Sequence, residues 1–359
     1  MIERLDKDAA DNDENNELLI IGGGQAGLAA GYYAKQLGLR FQILDEQGHV
    51  GESWRRRYDS LKLFTPKEYS SLPGLEFSGD PHECPSKDEV ADYLKKYADE
   101  FELPVNFNQH VKSVTSVAGN FKVETEGSEY LAQSVIVATG PFQKPRIPEW
   151  AKEIASSKQI HSSEYRNPEQ IQGNKVLVVG GGNSGAQIAE ELAGLSFDVS
   201  LSVNSRMRFI PEMILGKSVF WWLDVTGVLE APTKSRRATL LRKRGDPIIG
   251  GNLKDLIQDG KVTLESGATQ TQDGAIIFND GTSNTYDTII WSTGFTMDYS
   301  YMKISDALGI DGSPIQEEGI STTVKHLGYV GLGWMRSRNS ALLGGVGKDA
   351  EHVVNRVIK

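Results

Sequence analysis

Apolar residues recur along this chain as solid runs and as helical stripes, and the solid runs are the more telling. Leu18-Leu19-Ile20-Ile21, Ser134-Val135-Ile136-Val137, Val176-Leu177-Val178-Val179 and Thr288-Ile289-Ile290-Trp291 show almost no polar alternation. A strand covered on both faces reads this way, so each run predicts a buried strand of a parallel sheet. Arg40-Phe41-Gln42-Ile43-Leu44 and Asp198 to Val203 follow as the second strands of two β-α-β units. Short alternating segments around 111–117 and 121–125 predict a small antiparallel meander, and Phe278-Asn279-Asp280-Gly281 a hairpin turn. Helical spacing is clearest after Ser86, where Val90, Tyr93, Leu94, Tyr97, Ala98 and Phe101 share one face. Ser86 and Glu89 form its capping box, and Leu103-Pro104 stops it. A Gly-rich strand from Tyr329 to Gly333 and a terminal helix from about Ala341 close the chain.

The residues that follow two of the solid runs carry the chemistry. Gly22-Gly23-Gly24-Gln25-Ala26-Gly27 comes straight after Ile21, and Gly180-Gly181-Gly182-Asn183-Ser184-Gly185 straight after Val179. Strand, tight turn and helix start are the context in which glycines let the backbone approach a pyrophosphate, with the helix N-terminus receiving its charge. Asp45 ends the second strand about 20 residues beyond the first glycines, where a carboxylate accepts hydrogen bonds from ribose hydroxyls. Two such units predict an α/β protein with two Rossmann-like dinucleotide-binding domains. The terminal strand and helix have no partner left in the second unit, so they return to the first. The second domain is thus an insertion, 143–295, between 17–142 and 296–359.

Composition narrows the class. The 359 residues carry a net charge of −10, which speaks against nucleic acid. Residues 1–16, with Glu3, Asp6, Asp8, Asp11, Asp13 and Glu14 against Arg4 and Lys7, read as a disordered acidic tail. No apolar run approaches the roughly 20 residues of a membrane span, and no signal pattern opens the chain, so the cytoplasm is expected. The lone Cys84 excludes an internal disulfide and a Cys-x-x-Cys redox pair. The histidines show no metal-ligand spacing. The basic run Arg236-Arg237 and Arg242-Lys243-Arg244 reads as a solvated helix face, with a patch beside an anionic cofactor as the alternative. Phe220-Trp221-Trp222-Leu223 reads as core or as the interface of a homodimer, ahead of a wall for substrate access.

Over residues 17–359 the chain resembles the class B flavoprotein monooxygenases, the flavin-containing monooxygenase and Baeyer–Villiger group, and most of all their short bacterial members. Gly51-Glu52-Ser53-Trp54 stands where that family has Gly-Gly-x-Trp near the flavin. Tyr58-Asp59-Ser60-Leu61 and Pro66-Lys67-Glu68 match the next stretch. Ala138-Thr139-Gly140 with Pro145 and Pro148, and Thr293-Gly294-Phe295, match the strands leaving the two domains. The family signature Phe-x-Gly-x-x-x-His-x-x-x-Tyr is half kept: His161, Tyr165 and Arg166 are present, while Ala155 and Ser157 replace Phe and Gly. Tyrosine followed by arginine leans to the flavin-containing branch.

The resemblance implies FAD on the first fingerprint and NADPH on the second. It assigns flavin contacts to Gly22, Gly24, Gln25, Ala26, Gly27, Asp45, Glu46, Ser53, Trp54, Leu63, Val111, Ala138, Thr139 and Gly140. Backbone N–H groups of Ser340, Ala341 and Leu342, opening the last helix, would point at the flavin pyrimidine. The coenzyme would lie on Gly180, Gly182, Asn183, Ser184, Gly185, Thr293 and Gly294. Asn204-Ser205-Arg206, with Arg208 near, follows its second strand, where Arg206 would pair a 2′-phosphate and Ser205 add a hydrogen bond. No acid ends this strand to favour NADH, so NADPH is expected, with NADH tolerated. The reaction implied is hydride transfer to flavin, oxygen uptake as a C4a-(hydro)peroxyflavin, and oxygenation of a small sulfide, amine or ketone. No acid–base triad is needed, and His161 is expected to pack the domain linker. One departure matters: where relatives often carry an Asn that stabilises the oxygenated flavin, this chain has Leu63-Phe64. That makes a flavin-dependent NAD(P)H:acceptor oxidoreductase without oxygenation an alternative, and the resemblance separately leaves a redox accessory subunit of a cation-efflux system as another.

Overall fold

A computed structural model describes residues 16–359. The acidic tail lies outside the described residues except for Asn16, which departs from that reading: it is buried and opens the first strand. Two sheets organise the chain, the first parallel at its centre with antiparallel strands at its margins and the second parallel throughout. The first has nine strands. Asn16–Ile21 lies at its centre, parallel to Phe41–Leu44 on one side and Glu129–Val137 on the other. Val105–Asn106 extends it past Phe41–Leu44, and Leu327–Tyr329 past Glu129–Val137. The second has five strands, in the order Val262–Glu265, Asp198–Ser202, Lys175–Val179, Thr288–Trp291 and Lys158–His161, all parallel.

The solid apolar runs are explained by what covers them. Successive strand residues face opposite sides of a sheet. Leu18 and Ile20 pack into a core with the helices Gln25–Gln36, Lys87–Glu100 and Val346–Val357, whereas Leu19 and Ile21 pack on the other face with Val123, Tyr299 and Met302. Likewise Val176 and Val178 meet the helix Asn183–Gly194, and Leu177 and Val179 meet Phe278, Tyr286 and Trp291. Glu129–Val137 changes character along its length for the same reason. Its first half pairs antiparallel with Asn120–Glu124 and alternates in burial; its second half enters the parallel sheet and is buried throughout.

The second sheet is inserted in sequence between strands of the first. Its two connections, Lys144–Pro145 outward and Phe295–Thr296 back, pair as an antiparallel ribbon. A loop of the first unit grips the second: Tyr58 Oη donates to Gln187 Oε1 (2.9 Å), and Asp59 N to the Arg166 carbonyl (2.7 Å). No helix among the described residues is long and apolar enough to cross a membrane.

Two boundaries differ from expectation. The terminal helix runs Val346–Val357 and does not begin at Ala341. Gly344 and Gly345 explain this: a Cβ on them would stand 2.1 Å from the Tyr69 and Asn339 carbonyl oxygens respectively, so both belong to a tight turn that docks on neighbouring backbone. The Gly-rich strand is also shorter and earlier, Leu327–Tyr329, with Val330 N making a last bond to the Val137 carbonyl (3.0 Å) before the chain turns away.

Candidate functional site

The carboxyl ends of parallel strands are where open α/β sheets bind ligands, and both glycine fingerprints, Asp45 and the two Thr-Gly pairs stand at such ends. Gly22 follows Asn16–Ile21, Asp45 follows Phe41–Leu44 and Ala138 follows Glu129–Val137. In the second sheet Gly180, Val203, Ser292 and Ser162 stand at the corresponding ends.

The two fingerprints match position by position. Gly22 (φ +107°) and Gly180 (φ +122°) make the turn, and a Cβ on either would collide with the carbonyl of the neighbouring strand end, Ala138 O at 2.6 Å or Ser292 O at 2.2 Å. Gly27 and Gly185 pack the helix on the turn, where a Cβ would lie 1.8 Å from Gly22 O or 2.0 Å from Gly180 O. Gly24 and Gly182 differ: a Cβ would meet nothing within 4 Å. No contact inside the protein requires glycine there. The open space is a cradle that a side chain would fill and a phosphate can enter. Both helices, Gln25–Gln36 and Asn183–Gly194, start without a side-chain cap and without an acid in the first turn. Their first N–H groups and the positive dipole end therefore face the cradle unsatisfied.

A second pairing of features lies beside the cradles. Gly140 (φ +69°) and Gly294 (φ +81°) each follow a threonine at a strand end and each border open space. Gln143 Nε2 donates to Thr139 Oγ1 and to the Gly140 carbonyl, both at 2.8 Å. Arg146 donates from Nε to the Thr293 carbonyl at 3.0 Å. The two linkers are thus held in register with one another.

Around the first cradle, Asp45 accepts from the N–H groups of Gly23 and Gln47 (2.7 Å), and burial pushes its carboxyl above the usual range. Trp54 Nε1 donates to Gln25 Oε1 at 3.3 Å, which brings the Gly-x-x-Trp segment onto the fingerprint helix. Gly51 needs φ +83°, and a Cβ there would press on Ala91. Ser53 is exposed and Leu63 half-buried, whereas Val111 is buried in the core under the sheet. Glu46 is exposed and reaches His110 at 3.1 Å.

Around the second cradle lies a cavity of about 320 Å³, bounded by Gly180, Gly181, Asn204, Ser205, Arg206, Ser292 and Thr293. Arg146, Arg208 and Arg244 line it as well. Arg208 donates from Nη1 to the carbonyls of Arg244 (3.2 Å) and Gly245 (3.3 Å), so the end of the helix Arg236–Arg244 is fastened to the cavity wall. Arg236, Arg237, Arg242, Lys243 and Arg244 are all exposed, as a solvated helix face requires, and Arg244 also borders the cavity.

His161 is 1% exposed. Its Nε2 lies 3.0 Å from the Gly294 carbonyl, and its Nδ1 accepts from Ser163 N at 3.1 Å. Those partners fix a neutral ring protonated on Nε2, and burial depresses its pKa. Phe295 meets the ring edge-on at 5.0 Å. The histidine spans the end of one strand and the return linker.

Phe64 stacks near Phe220 (6.1 Å between ring centres) in an apolar cluster with Tyr69, Leu223 and Leu342. Phe220 is the buried centre of that cluster, with Trp221 and Trp222 half-buried beside it. Ser340, Ala341 and Leu342 do not open a helix. They lie in a turn pinned by Ser340 Oγ, which accepts from Arg336 N and Ser337 N at 3.1 Å. Cys84 donates from Sγ to Glu212 Oε1 (3.2 Å), and burial with that carboxylate pushes the thiol up to about 12. Such a thiol is protonated at neutral pH and does not attack disulfides. Arg57, unnoticed in the sequence, stands between Phe142 and Phe295 at the two linkers.

Comparison with known proteins agrees with this geometry. The family described as pyridine nucleotide-disulphide oxidoreductase matches residues 19–212. The CzcO-like oxidoreductase of Geobacillus kaustophilus is 46% identical over 95% of this chain and 98% of its own length. A probable indole-3-pyruvate monooxygenase, YUCCA1 of Arabidopsis thaliana, is 30% identical over 82% of this chain and 80% of its own. The solved flavin-containing monooxygenase of Stenotrophomonas maltophilia superposes with a TM-score of 0.81 at 28% identity, covering 96% of this chain and 98% of that one.

Proposed function

As the chain belongs to the pyridine nucleotide-disulphide oxidoreductases, in the branch of the flavoprotein monooxygenases, we propose that it is an FAD-dependent, NADPH-using enzyme that oxygenates a small organic substrate. The observation that carries this is the pair of cradles at Gly24 and Gly182, each glycine for no reason internal to the protein. When bound, the flavin supplies hydride acceptance and oxygen activation. The chain supplies the rest. Residues 22–27 and Asp45 hold the first dinucleotide by pyrophosphate and ribose. Residues 180–185 hold the second. Arg206, with Arg208 and Arg244 across the cavity, suits a dianionic 2′-phosphate better than a bare ribose; NADH lacks that phosphate and binds less tightly. Thr139-Gly140 and Thr293-Gly294 would border the two bound dinucleotides, and the apolar cluster of Phe64, Phe220 and Leu342 would help keep water from the flavin. Cys84, hydrogen-bonded to Glu212 with its thiol pushed up to about 12, is poorly suited to a disulfide step.

A second reading rests on Phe64. A phenyl ring offers no hydrogen bond to an oxygenated flavin, which favours transfer of electrons to an acceptor and release of hydrogen peroxide. One measurement separates the two. The enzyme is reduced by NADPH without oxygen, mixed with oxygen and a simple sulfide such as thioanisole, and assayed for sulfoxide and for hydrogen peroxide. Sulfoxide is expected as a product, with substantial peroxide beside it. Peroxide alone, together with rapid reduction of quinones, would move the assignment to the acceptor oxidoreductases.

A further inference from the structure

One segment of the inserted unit, 229–246, leaves its own sheet and reaches across to the host unit. It contains the helix Arg236–Arg244. At its end it belongs to the coenzyme cavity: Arg244, Gly245 and Asp246 line that space, and Arg208 holds the carbonyls of Arg244 and Gly245. Along the rest of its length it is fastened to the loop 331–345 and the helix start of the host. Thr233 donates from N to the Arg336 carbonyl and from Oγ1 to the Trp334 carbonyl, both at 2.9 Å. Asn339 N donates to the Leu229 carbonyl at 3.2 Å. Glu230 pairs with Lys348 at 3.1 Å, and Asp246 with Arg338 at 3.8 Å. The Arg242 guanidinium lies 5.3 Å from the ring centre of Trp334. Trp334 itself sits at φ +59°, a left-handed conformation that a bulky residue keeps only where its surroundings hold it. The loop so held lies beside the first cradle. Gly331 packs on Ala26, where a Cβ would stand 2.7 Å from that of the alanine, and Leu342 belongs to the cluster of Phe64 and Phe220.

We propose that this segment is a strap that couples the two dinucleotide sites: an anion in the coenzyme cavity tightens the hold of the host unit on its flavin, with Arg242 and Arg338 as the positioning residues. The proposal rests on the assignment of the two cradles given above. Its direction follows from charge. Arg206, Arg208 and Arg244 line the cavity together with one carboxylate, that of Asp246. An incoming phosphate attracts the arginines and repels the carboxylate, whose ion-pair partner is Arg338 on the host loop. Asp246 is thereby driven toward Arg338, and the loop that carries Arg338 and Trp334 is steadied beside the first fingerprint. An exposed ion pair is weak by itself, so the coupling stands at the low end of the usual range, roughly fivefold. It is also mutual: the factor by which the anion strengthens flavin binding is the factor by which flavin strengthens binding of the anion.

The test uses the flavin-loaded protein. Flavin release after dilution is followed by the rise in FAD fluorescence, without nucleotide, with saturating adenosine 2′,5′-bisphosphate, and with saturating adenosine 5′-monophosphate. Calorimetry establishes that each nucleotide is bound. The bisphosphate has no nicotinamide, so it cannot cover the flavin, and any effect must pass through the protein. In the wild type it is expected to slow release about fivefold or more, and the monophosphate, which lacks the 2′-phosphate, by less than about twofold. Arg242→Ala and Arg338→Ala alter no residue that lines the cavity. Both are expected to bind the bisphosphate and to lose most of the slowing, with Arg242→Lys keeping part of it. A wild type that binds the bisphosphate yet releases flavin no more slowly would overturn the proposal. So would variants that respond as the wild type does, or equal slowing by the two nucleotides. A wild type that binds neither nucleotide would overturn the coenzyme assignment and this proposal with it, whereas binding without slowing overturns this proposal alone. If Arg242→Ala does not retain flavin, Arg338→Ala and Arg242→Lys carry the comparison.

Discussion

At the scale of single residues, glycines of one fingerprint have unlike roles, and substitution separates them. Gly22→Ala puts a Cβ 2.6 Å from the Ala138 carbonyl in a backbone conformation that L residues avoid. The backbone strain alone is worth about 1–3 kcal/mol, so a lower melting temperature is expected whether or not flavin is present. Gly24→Ala meets nothing within the protein. It is expected to fold with an unchanged apoprotein melting temperature yet to purify with much less flavin, which absorbance measures directly. Equal flavin content in Gly24→Ala and wild type would remove the phosphate role from this position. Arg206 makes a different claim. A charge-assisted hydrogen bond is worth about 1.5–3 kcal/mol, equivalent to roughly tenfold to hundredfold in binding. Arg206→Ala is expected to raise the KM for NADPH by that factor and to leave NADH nearly unchanged. An unaltered ratio of the two coenzymes would sink the assignment.

At the scale of elements, the helix Lys87–Glu100 shows how local sequence sets structure. Ser86 Oγ accepts from Glu89 N (3.3 Å), and Glu89 Oε2 accepts from Ser86 N (2.8 Å). Ser86→Ala is expected to cost about 0.5–2 kcal/mol, read as a fall in the urea midpoint without a change in slope. The capping box, the buried stripe from Val90 to Ala98, the two central strands and both fingerprints were legible in the sequence because each depends on residues within one helical or strand length. The start of the last helix was not, because Gly344 and Gly345 are fixed by contacts to Tyr69 and Asn339, which no local pattern records. The cavity beside Arg244 was not legible for a related reason: the charge of Arg244 was plain, but the cavity it borders is built with Arg208 and Gly180 from distant parts of the chain. Arg57 was hidden among neighbours of the same charge, and only its place between Phe142 and Phe295 sets it apart.

At the scale of the whole molecule, what matters is how the inserted unit is held against its host. Two linkers paired as a ribbon, the Tyr58 loop and His161 do this. His161 makes that attachment sensitive to pH. Its folded pKa lies below the ordinary imidazole value of 6.5, so the unfolded chain binds the proton more readily. The histidine's contribution is complete above about pH 6.5 and declines as the pH falls below it toward the folded pKa. Burial is the main obstacle to a second proton on the ring; the Gly294 carbonyl and Glu164 favour that proton without outweighing burial, and Arg57 adds a smaller repulsion. Stability measured by denaturant at several pH values is expected to drop between pH 7 and 5 in the wild type and to drop less in His161→Gln. Parallel curves for the two proteins would show that the ring titrates freely.

The cradles also leave a mark on descent. Gly22, Gly27, Gly180 and Gly185 are demanded by folding, but Gly24 and Gly182 only by what lies in front of them. A descendant that abandoned one of its ligands would go on selecting the outer glycines and would cease to select the middle one. Within this lineage, drift at position 24 or 182 on an otherwise intact motif would therefore mark a lost ligand; in this chain both glycines are in place.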